Sequence, residues 1–374
     1  MTARAIGRLM GAGLLAGIAL APAGAAGAAP PPMRLVATAF AALDGWGADD
    51  LAEALPALRD SCAAIRAGTP TDPPDPAPRL SARGPWLEAC APLLALPEGA
   101  PDAAVRAAVE RAFRPWRVLD RDAGAEGLIT GYFEPELTGS LTRRSPEQVP
   151  LYRPPSADSL RRQTRAEIAA GGLAGQGLEL VWLDDPVAAF FLDIQGSGVI
   201  RLAEGGSRRV RYVRFNGYGY TAVGRALVEW GEIPLEAITM QSIVAWMRDN
   251  PGRRQALMNV NRSYVYFDWL GHDAPQGSQG VDLTPGRSLA VDPRHIPYGA
   301  PLWLETVHPS GGAPIRRLMA AQDKGGAIKG VVRADFFWGT GPAAAEQAGR
   351  MKGQGRYTLL LPKGLPVPAA FTAE

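Results

Sequence analysis

The chain is 374 residues long, 47% apolar and 20% charged, which excludes a disordered tail or a membrane-spanning bundle and leaves length for roughly two to three domains. Its 39 basic residues nearly balance its 37 acidic ones, for a net charge of +2. With no dense Lys/Arg block and no aromatic-interleaved basic stripe, a nucleic-acid partner is not expected.

From the N-terminus, Arg4 and Arg8 precede an apolar run from Leu9 to Leu20, and Ala23-Gly24-Ala25 and Ala26-Gly27-Ala28 supply small-residue cleavage sites. The pattern predicts a signal peptide over residues 1–28, its apolar core short of the ~20 residues that cross a bilayer. No cysteine stands near the cleavage region to carry a lipid. Leu51, Ala54, Leu55 and Leu58 then fall at helical spacing. The Pro-rich stretch 69–78 must be a loop, and a second helix follows Asp102, with Val105, Ala108, Val109 and Ala112 on one stripe.

From Gly127 the texture becomes β-rich. Apolar runs at Leu128–Phe133, Leu178–Leu183, Phe190–Ile194 and Val210–Phe215 alternate with Gly and Pro and predict strands. A helix is expected over 235–250, with Met240, Ile243, Val244 and Met247 on one face, ended by Asn250-Pro251-Gly252. Strands resume at Ser263–Trp269 and past Leu289, then a helix after Pro342 and a last strand at Tyr357–Leu361. The fold class is therefore mainly β with peripheral helices: a barrel-like core and a β-rich companion domain. Cys62 and Cys90 either pair in an oxidising compartment or stay as two buried thiols. His272, His295 and His308 form no ligand-spaced cluster, so neither a metal nor another cofactor is expected.

Three glycine- or proline-flanked aspartates near the C-terminus are placed for chemistry: Asp292 in DPRHIPYG, Asp323 in QDKGGAIKG and Asp335 in ADFFWG. A carboxylate at a strand end sits where loops make clefts. Asp292 precedes a proline and reads first as a turn initiator. Asp323 has Lys324 beside it and Gly325-Gly326 after it, groups that would keep it ionised. Phe336, Phe337 and Trp338 follow Asp335; if they desolvate it, and if an ionised Asp323 is near, its pKa rises and it can serve as a general acid. On context alone, a hydrogen-bonded structural aspartate is an equal reading.

Those three stretches, with GYFEPEL (131–137), PLYRPP (150–155), DIQGSG (193–198) and RVRYVRFNGYGYTAVGR (209–225) upstream, resemble in order and spacing the membrane-bound lytic murein transglycosylase A family and its C-terminal three-aspartate domain. The likeness runs over residues 127 to 362. It implies a double-psi β-barrel with a smaller inserted β-domain and a glycan in the groove between them. It also implies cleavage of the β-1,4 bond between N-acetylmuramic acid and N-acetylglucosamine, leaving 1,6-anhydromuramic ends. Asp335 matches the catalytic aspartate, with Asp323 and Asp292 the supporting pair. The domain limits read on this basis are 29–130 for a helical part of the barrel domain, 131–243 for the insert and 244–374 for the barrel with the aspartates.

Gln195 and Ser197 in the QGSG turn, and Asn216, Tyr218 and Tyr220 on the following Gly-rich segment, offer polar and aromatic groups for sugars, although a plain turn and core tyrosines read as well. Glu134 and Glu136 are the candidates for a second carboxylate and read better as rim residues. Lys329 could pair with Asp323 or with substrate. A hydrolytic glycosidase generally needs two carboxylates; here the sugar's 6-hydroxyl would be the nucleophile, so Asp335 alone could act as acid and then base. The alternatives are an inverting glycosidase on the same barrel and a non-catalytic wall-binding module. The expected partner is peptidoglycan, engaged by a monomer in the periplasm, with outer-membrane or wall-synthesis association open.

Overall fold

The computed structural model describes residues 32–68, 80–271 and 274–372; the expected signal peptide, the loop over 69–78 and His272 lie outside them. In chain order, β1 (Met33–Ala37) leads through α1 (Leu55–Ala67), α2 (Arg83–Leu94) and α3 (Asp102–Ala112) to β2 (Phe113–Asp120) and β3 (Gly127–Glu134). A second run follows: β4 (Glu136–Ser140), β5 (Val149–Tyr152), α4 (Asp158–Arg161), α5 (Arg165–Ala169), β6 (Glu179–Leu183), α6 (Pro186–Gln195) and β7 (Ser197–Leu202). It continues with β8 (Ser207–Phe215), α7 (Val223–Glu229), α8 (Met240–Asp249), α9 (Pro251–Val260) and β9 (Val265–Leu270). The chain then returns through β10 (Ser288–Val291), β11 (Pro301–Val307), β12 (Pro314–Asp323), β13 (Ala334–Thr340), α10 (Pro342–Arg350) and β14 (Lys352–Pro362).

Among the described residues these strands make two sheets. The first runs β1-β2-β14-β11-β12-β10-β13-β3, and the start of β14 pairs back onto β3, so six of its strands close into a barrel. Its inward residues alternate with outward ones: Ile129, Leu289, Val291, Ala334 and Phe336 join the barrel core, and period-two geometry turns Thr130, Ala290 and Asp335 to the outside. The second sheet, β5-β6-β4-β7-β8-β9, encloses its own core of Leu137, Leu151, Val181, Leu183, Ile200, Val210 and Phe267. The mainly β, two-domain architecture is the one the resemblance implies.

Two buried polar hubs weld the N-terminal helices to the barrel. Arg287, 2% exposed, grips Asp49 through both guanidinium nitrogens (2.7 and 2.9 Å) and adds Glu53 at 2.8 Å. Gln322 on β12 donates to the Ala57 carbonyl at 2.8 Å and to Ser61 Oγ at 3.0 Å, both on α1, and accepts from Ser288 Oγ at 2.5 Å. Apart from the Arg287 Nε, which is buried without a partner among the described residues, these polar groups are paired and hold one register, because slipping would strand donors in a low-dielectric interior. Cys62 and Cys90 do pair, and their disulfide joins α1 to α2.

Three sequence expectations change. Phe190–Ile194 is helix, not strand: Asp185 caps the Val187 and Ala188 amides at 2.8 and 3.2 Å, Pro186 occupies the first turn, and Val187 and Phe190 bury against Val223, Leu227 and Met247. Asn250-Pro251-Gly252 does not end the helical region, since Pro251 opens α9. The domain limits also move. Residues 131–134 stay in the barrel as β3, and β9 completes the second sheet, so the insert spans β4 to β9, ending near residue 270, and not 131–243. Strand pairing decides that boundary, and no change of composition marks it.

A disulfide closing a loop of this span, 28 residues, contributes about 3–4 kcal/mol by the chain-entropy relation. Reduction, or the Cys62→Ala/Cys90→Ala pair, should lower Tm by several degrees in a thermal melt; an unchanged Tm would remove the bond from the list of stabilising elements.

Candidate active site

Strand β13 lies between β10, which it pairs antiparallel, and β3, which it pairs parallel. Ala290 on β10 is opposite Asp335 on one side and Asp323, the last residue of β12, on the other; Asp335 in turn is opposite Thr130 on β3. The four residues form one row across four strands. At about 4.8 Å per strand, the Asp323 and Asp335 backbones are roughly 9.5 Å apart.

Asp335 is mostly buried, its side chain 18% exposed. Its Oδ1 accepts from Arg333 Nη1 at 2.8 Å and from the Thr130 hydroxyl, while Arg333 Nη2 reaches Thr130 Oγ1 at 2.8 Å. Among the described residues nothing donates to Oδ2. Burial raises the pKa of this carboxyl; Arg333 pulls it down by charge and hydrogen bond, the charge of Asp323 pushes it up again, and the net shift is upward. The two flanking phenylalanines are buried, with Phe337 packed on the Tyr132 ring at 5.1 Å.

Asp323 differs from expectation in its partners. Its Oδ1 accepts from the Ser278 amide (2.9 Å), the Ser278 hydroxyl (2.7 Å) and the Lys324 backbone amide (2.8 Å). The Lys324 side chain and the Gly325 and Gly326 amides donate nothing to it. Burial raises its pKa, and the Ser278, Lys324 and Tyr132 donors oppose without cancelling the rise. Lys329 is exposed and forms no ion pair among the described residues.

Asp292 is fully buried and structural. Arg294 clamps it (Nε to Oδ1 2.9 Å, Nη2 to Oδ2 2.5 Å), and the Gly330 amide donates to Oδ2 at 2.9 Å. Burial alone would raise its pKa, but these donors hold it down at about 2. The contact ties the turn after β10 to the loop that leads into β13, and so fixes where Asp335 begins its strand.

The remaining candidates separate clearly. Glu134 is 1% exposed and saturated: both its oxygens accept from Arg209 Nε at 3.1 Å, and Thr340 Oγ1 adds 2.8 Å, which ties the barrel to β8. Glu136 is engaged by Arg201. Neither is available as a second catalytic carboxylate. Gln195 ends α6 and accepts from the Phe133 amide at 3.3 Å, three residues from Thr130, while its amide nitrogen donates to no described residue. Ser197 opens β7 half-buried, across from Arg211.

Asn216 is a correction. It is 3% exposed, its Nδ2 donates to the Gln163 and Arg262 carbonyls at 2.8 and 2.9 Å, and its Oδ1 accepts from the Tyr264 amide at 3.0 Å. Its hydrogen-bonding capacity goes to the insert's backbone and not to a ligand. Tyr218 lies half-buried under the Arg262 guanidinium, 4.2 Å from the ring centre.

Sequence reasoning missed Thr130, Tyr132, Arg333 and Ser278. Thr130 and Tyr132 carry a readable signal, since they stand two apart on β3 and share a face; Arg333 stands just before β13, two residues from Asp335. Ser278 carries none; it arrives from a turn. Among the described residues, no group of three or more His, Cys, Asp or Glu side chains could hold a metal ion, and no helix is long and apolar enough to cross a membrane.

The MltA specific insert domain matches residues 128–268 and the 3D domain matches residues 287–361. A membrane-bound lytic murein transglycosylase A from Vibrio cholerae is 32% identical over 254 residues, covering 65% of this chain and 68% of that protein. The solved lytic transglycosylase LtgG of Burkholderia pseudomallei is 42% identical with a TM-score of 0.60, covering 88% of this chain and 96% of that one. Escherichia coli MltA, solved with bound chitohexaose, is 28% identical with a TM-score of 0.67, covering 89% and 95%. The class is therefore that of the lytic transglycosylases, enzymes of the lyase type. Within it, the chain belongs to the membrane-bound lytic murein transglycosylase A family.

Asp292→Asn keeps the shape but loses the charge that pairs with Arg294, and should cost about 1–3 kcal/mol in chemical unfolding at neutral pH. The folded-state pKa is depressed, so this contribution is fully present above the ordinary carboxylate value of 3.8 and is lost as pH falls through about 2. The wild type should lose more stability than the variant across that acid window.

Proposed function

We propose that the protein cleaves the β-1,4 bond between N-acetylmuramic acid and N-acetylglucosamine in peptidoglycan, forming 1,6-anhydromuramic ends, with Asp335 as its single acid and base. The observation that carries this reading is the asymmetry of the Asp335 carboxyl. Oδ1 is engaged by Arg333 and Thr130, whereas Oδ2 meets no donor among the described residues and belongs to a carboxyl whose pKa is raised by burial. Such an oxygen can hold a proton and deliver it outward.

Asp335 donates that proton to the glycosidic oxygen as its bond to the anomeric carbon breaks. The 6-hydroxyl of the same sugar attacks that carbon, and the Asp335 carboxylate takes the hydroxyl proton. The nucleophile is tethered, which replaces capture of a water with a large effective molarity. Arg333 and Thr130 stabilise the carboxylate while it waits to act as base. The chitohexaose bound by the E. coli relative supports a β-1,4 glycan as the ligand. Gln195 and Ser197, with unspent polar groups beside β3, would meet sugar hydroxyls or an N-acetyl group, and Tyr218 would line the approach. Asp323 and Asp292 act through Asp335, the first by its charge and the second by holding the loop before β13. The enzyme works as a monomer in the periplasm after signal-peptide removal; fractionation of the mature protein into the membrane would overturn that location.

Mass spectrometry of digested peptidoglycan tests the reaction: anhydro ends are expected, reducing ends would indicate hydrolysis, and absence of release a binding module. Asp335→Asn should lower turnover by about 10²–10⁴, the usual worth of a positioned acid–base group, with glycan binding retained. The alkaline limb of the pH–rate profile reports the acid. Asp323→Asn removes a charge that raises the Asp335 pKa, so that limb should move to lower pH; Arg333→Met removes one that lowers it, so the limb should move to higher pH. Shifts in the same direction would refute the assignment.

A further inference from the structure

Strand β8 of the insert carries four arginines in nine residues: Arg208, Arg209, Arg211 and Arg214. Plain alternation along a strand would send Arg209 and Arg211 to one face and Arg214 to the other. The pairing with β9 decides otherwise. Arg209, Arg211 and Arg214 stand opposite Leu270, Asp268 and Tyr266, which alternate regularly along β9, while the register shifts between Tyr212 and Arg214 and leaves Val213 without a partner. Residues opposite one another share a face, so the bulge at Val213 turns Arg214 onto the face of Arg209 and Arg211. Re-aiming a side chain is a known use of such bulges; here it sets three guanidinium groups in one row.

The row lies next to the candidate site. Arg209 reaches Glu134 of β3 at 3.1 Å. Arg211 is opposite Ser197 on β7, and the Tyr212 amide donates to the Gly196 carbonyl at 2.6 Å. Both contacts fall on the QGSG turn, whose Gln195 accepts from the Phe133 amide at 3.3 Å. Thr130, opposite Asp335, is three residues from Phe133 along β3, about 10 Å by strand rise. Arg209 is committed to Glu134, but Arg211 and Arg214 are exposed and form no ion pair among the described residues. Asp268, the acid opposite Arg211, is met by Arg153 at 3.5 Å, so positive charge remains in excess.

We propose that Arg211 and Arg214 bind carboxylates of the peptides that peptidoglycan carries on its N-acetylmuramic acid residues, so that the enzyme selects peptide-bearing strands over bare glycan. This rests on the peptidoglycan reading above and concerns a part of the substrate that Asp335 does not touch. The guanidinium fork matches a carboxylate in two parallel hydrogen bonds. In peptidoglycan the acidic side chains and free ends of those peptides supply such carboxylates, whereas the bare sugar chain has only the muramic acid carboxyl itself. Contacts of this kind are made equally before and during bond cleavage, so they act on KM and leave kcat alone.

The test compares initial cleavage rates on purified glycan strands that keep their peptides and on strands stripped of them by an amidase. The proteins are the wild type, Arg211→Gln/Arg214→Gln and Arg211→Lys/Arg214→Lys. The wild type should show the lower KM on peptide-bearing strands, and that preference should shrink as salt screens the charges. The Gln pair should lose about fivefold in kcat/KM on those strands, through KM, as two exposed charge pairs are worth, with its rate on stripped strands unchanged. The Lys pair should keep most of the preference. Should the Gln pair fail to fold by circular dichroism, each single Gln substitution is read in the same way. A wild type without preference, an equal loss on both substrates, or a loss confined to kcat overturns the proposal. Cleavage is scored whatever the chemistry of the new ends, so reducing ends from the wild type overturn instead the transglycosylase reading.

Discussion

The constraint on which the site depends is the register of β13. Antiparallel pairing to β10 and parallel pairing to β3 set Asp323, Ala290, Asp335 and Thr130 in one line across the barrel wall. A slip of one residue would exchange Asp335 with Phe336, sending the carboxyl into the barrel core and the ring outward. Such a slip is opposed twice over, by loss of apolar burial and by an unpaired charge in a dry interior. Hydrophobic patterning thus aims the Asp335 carboxyl, which needs no dedicated scaffold of its own.

Contacts far from the carboxyl maintain that line. Gln322, spent on α1 and Ser288, fixes the end of β12 from which Asp323 projects. Asp292 ties the turn after β10 to Gly330 and so sets the entry to β13. Glu134, at the exit of β3, binds Arg209 of the insert and Thr340 of β13 together. Three acidic or amide side chains that resemble catalytic candidates by type are thereby occupied as fasteners. Their full hydrogen-bonding distinguishes them from Asp335, one of whose oxygens meets no donor among the described residues.

The electrostatics follow from this division. Asp292 has donors enough to outweigh burial and stays ionised. Asp335 has one cation and one hydroxyl on a single oxygen, and burial wins. The same residue type therefore yields a permanent anion at one position and a protonatable group at another, and the number of donors decides which.

Much of this was legible in the residues. The helical stripe through Leu55 and Leu58, the strands at Leu128–Phe133 and Val210–Phe215, the helix after Pro342 and the ordered aspartate motifs all follow from local periodicity and spacing, which are properties of contiguous chain. Phe190–Ile194 was misread because a short apolar run looks alike as buried strand or buried helix, and only packing against Val223 and Met247 separates the two. Asn216 looked like a ligand and proved a clamp, since nothing local tells that Gln163 and Arg262 lie against it. By itself the sequence determined the fold class and the family, because these rest on pattern and on ordered motifs, and it narrowed the candidate acids to three aspartates. The tertiary structure alone decided that Arg333 and Thr130 hold one oxygen of Asp335 and that Asp323 shares its row. Those facts depend on strands distant in the chain meeting at a spacing of about 4.8 Å, and no local pattern records which strands meet.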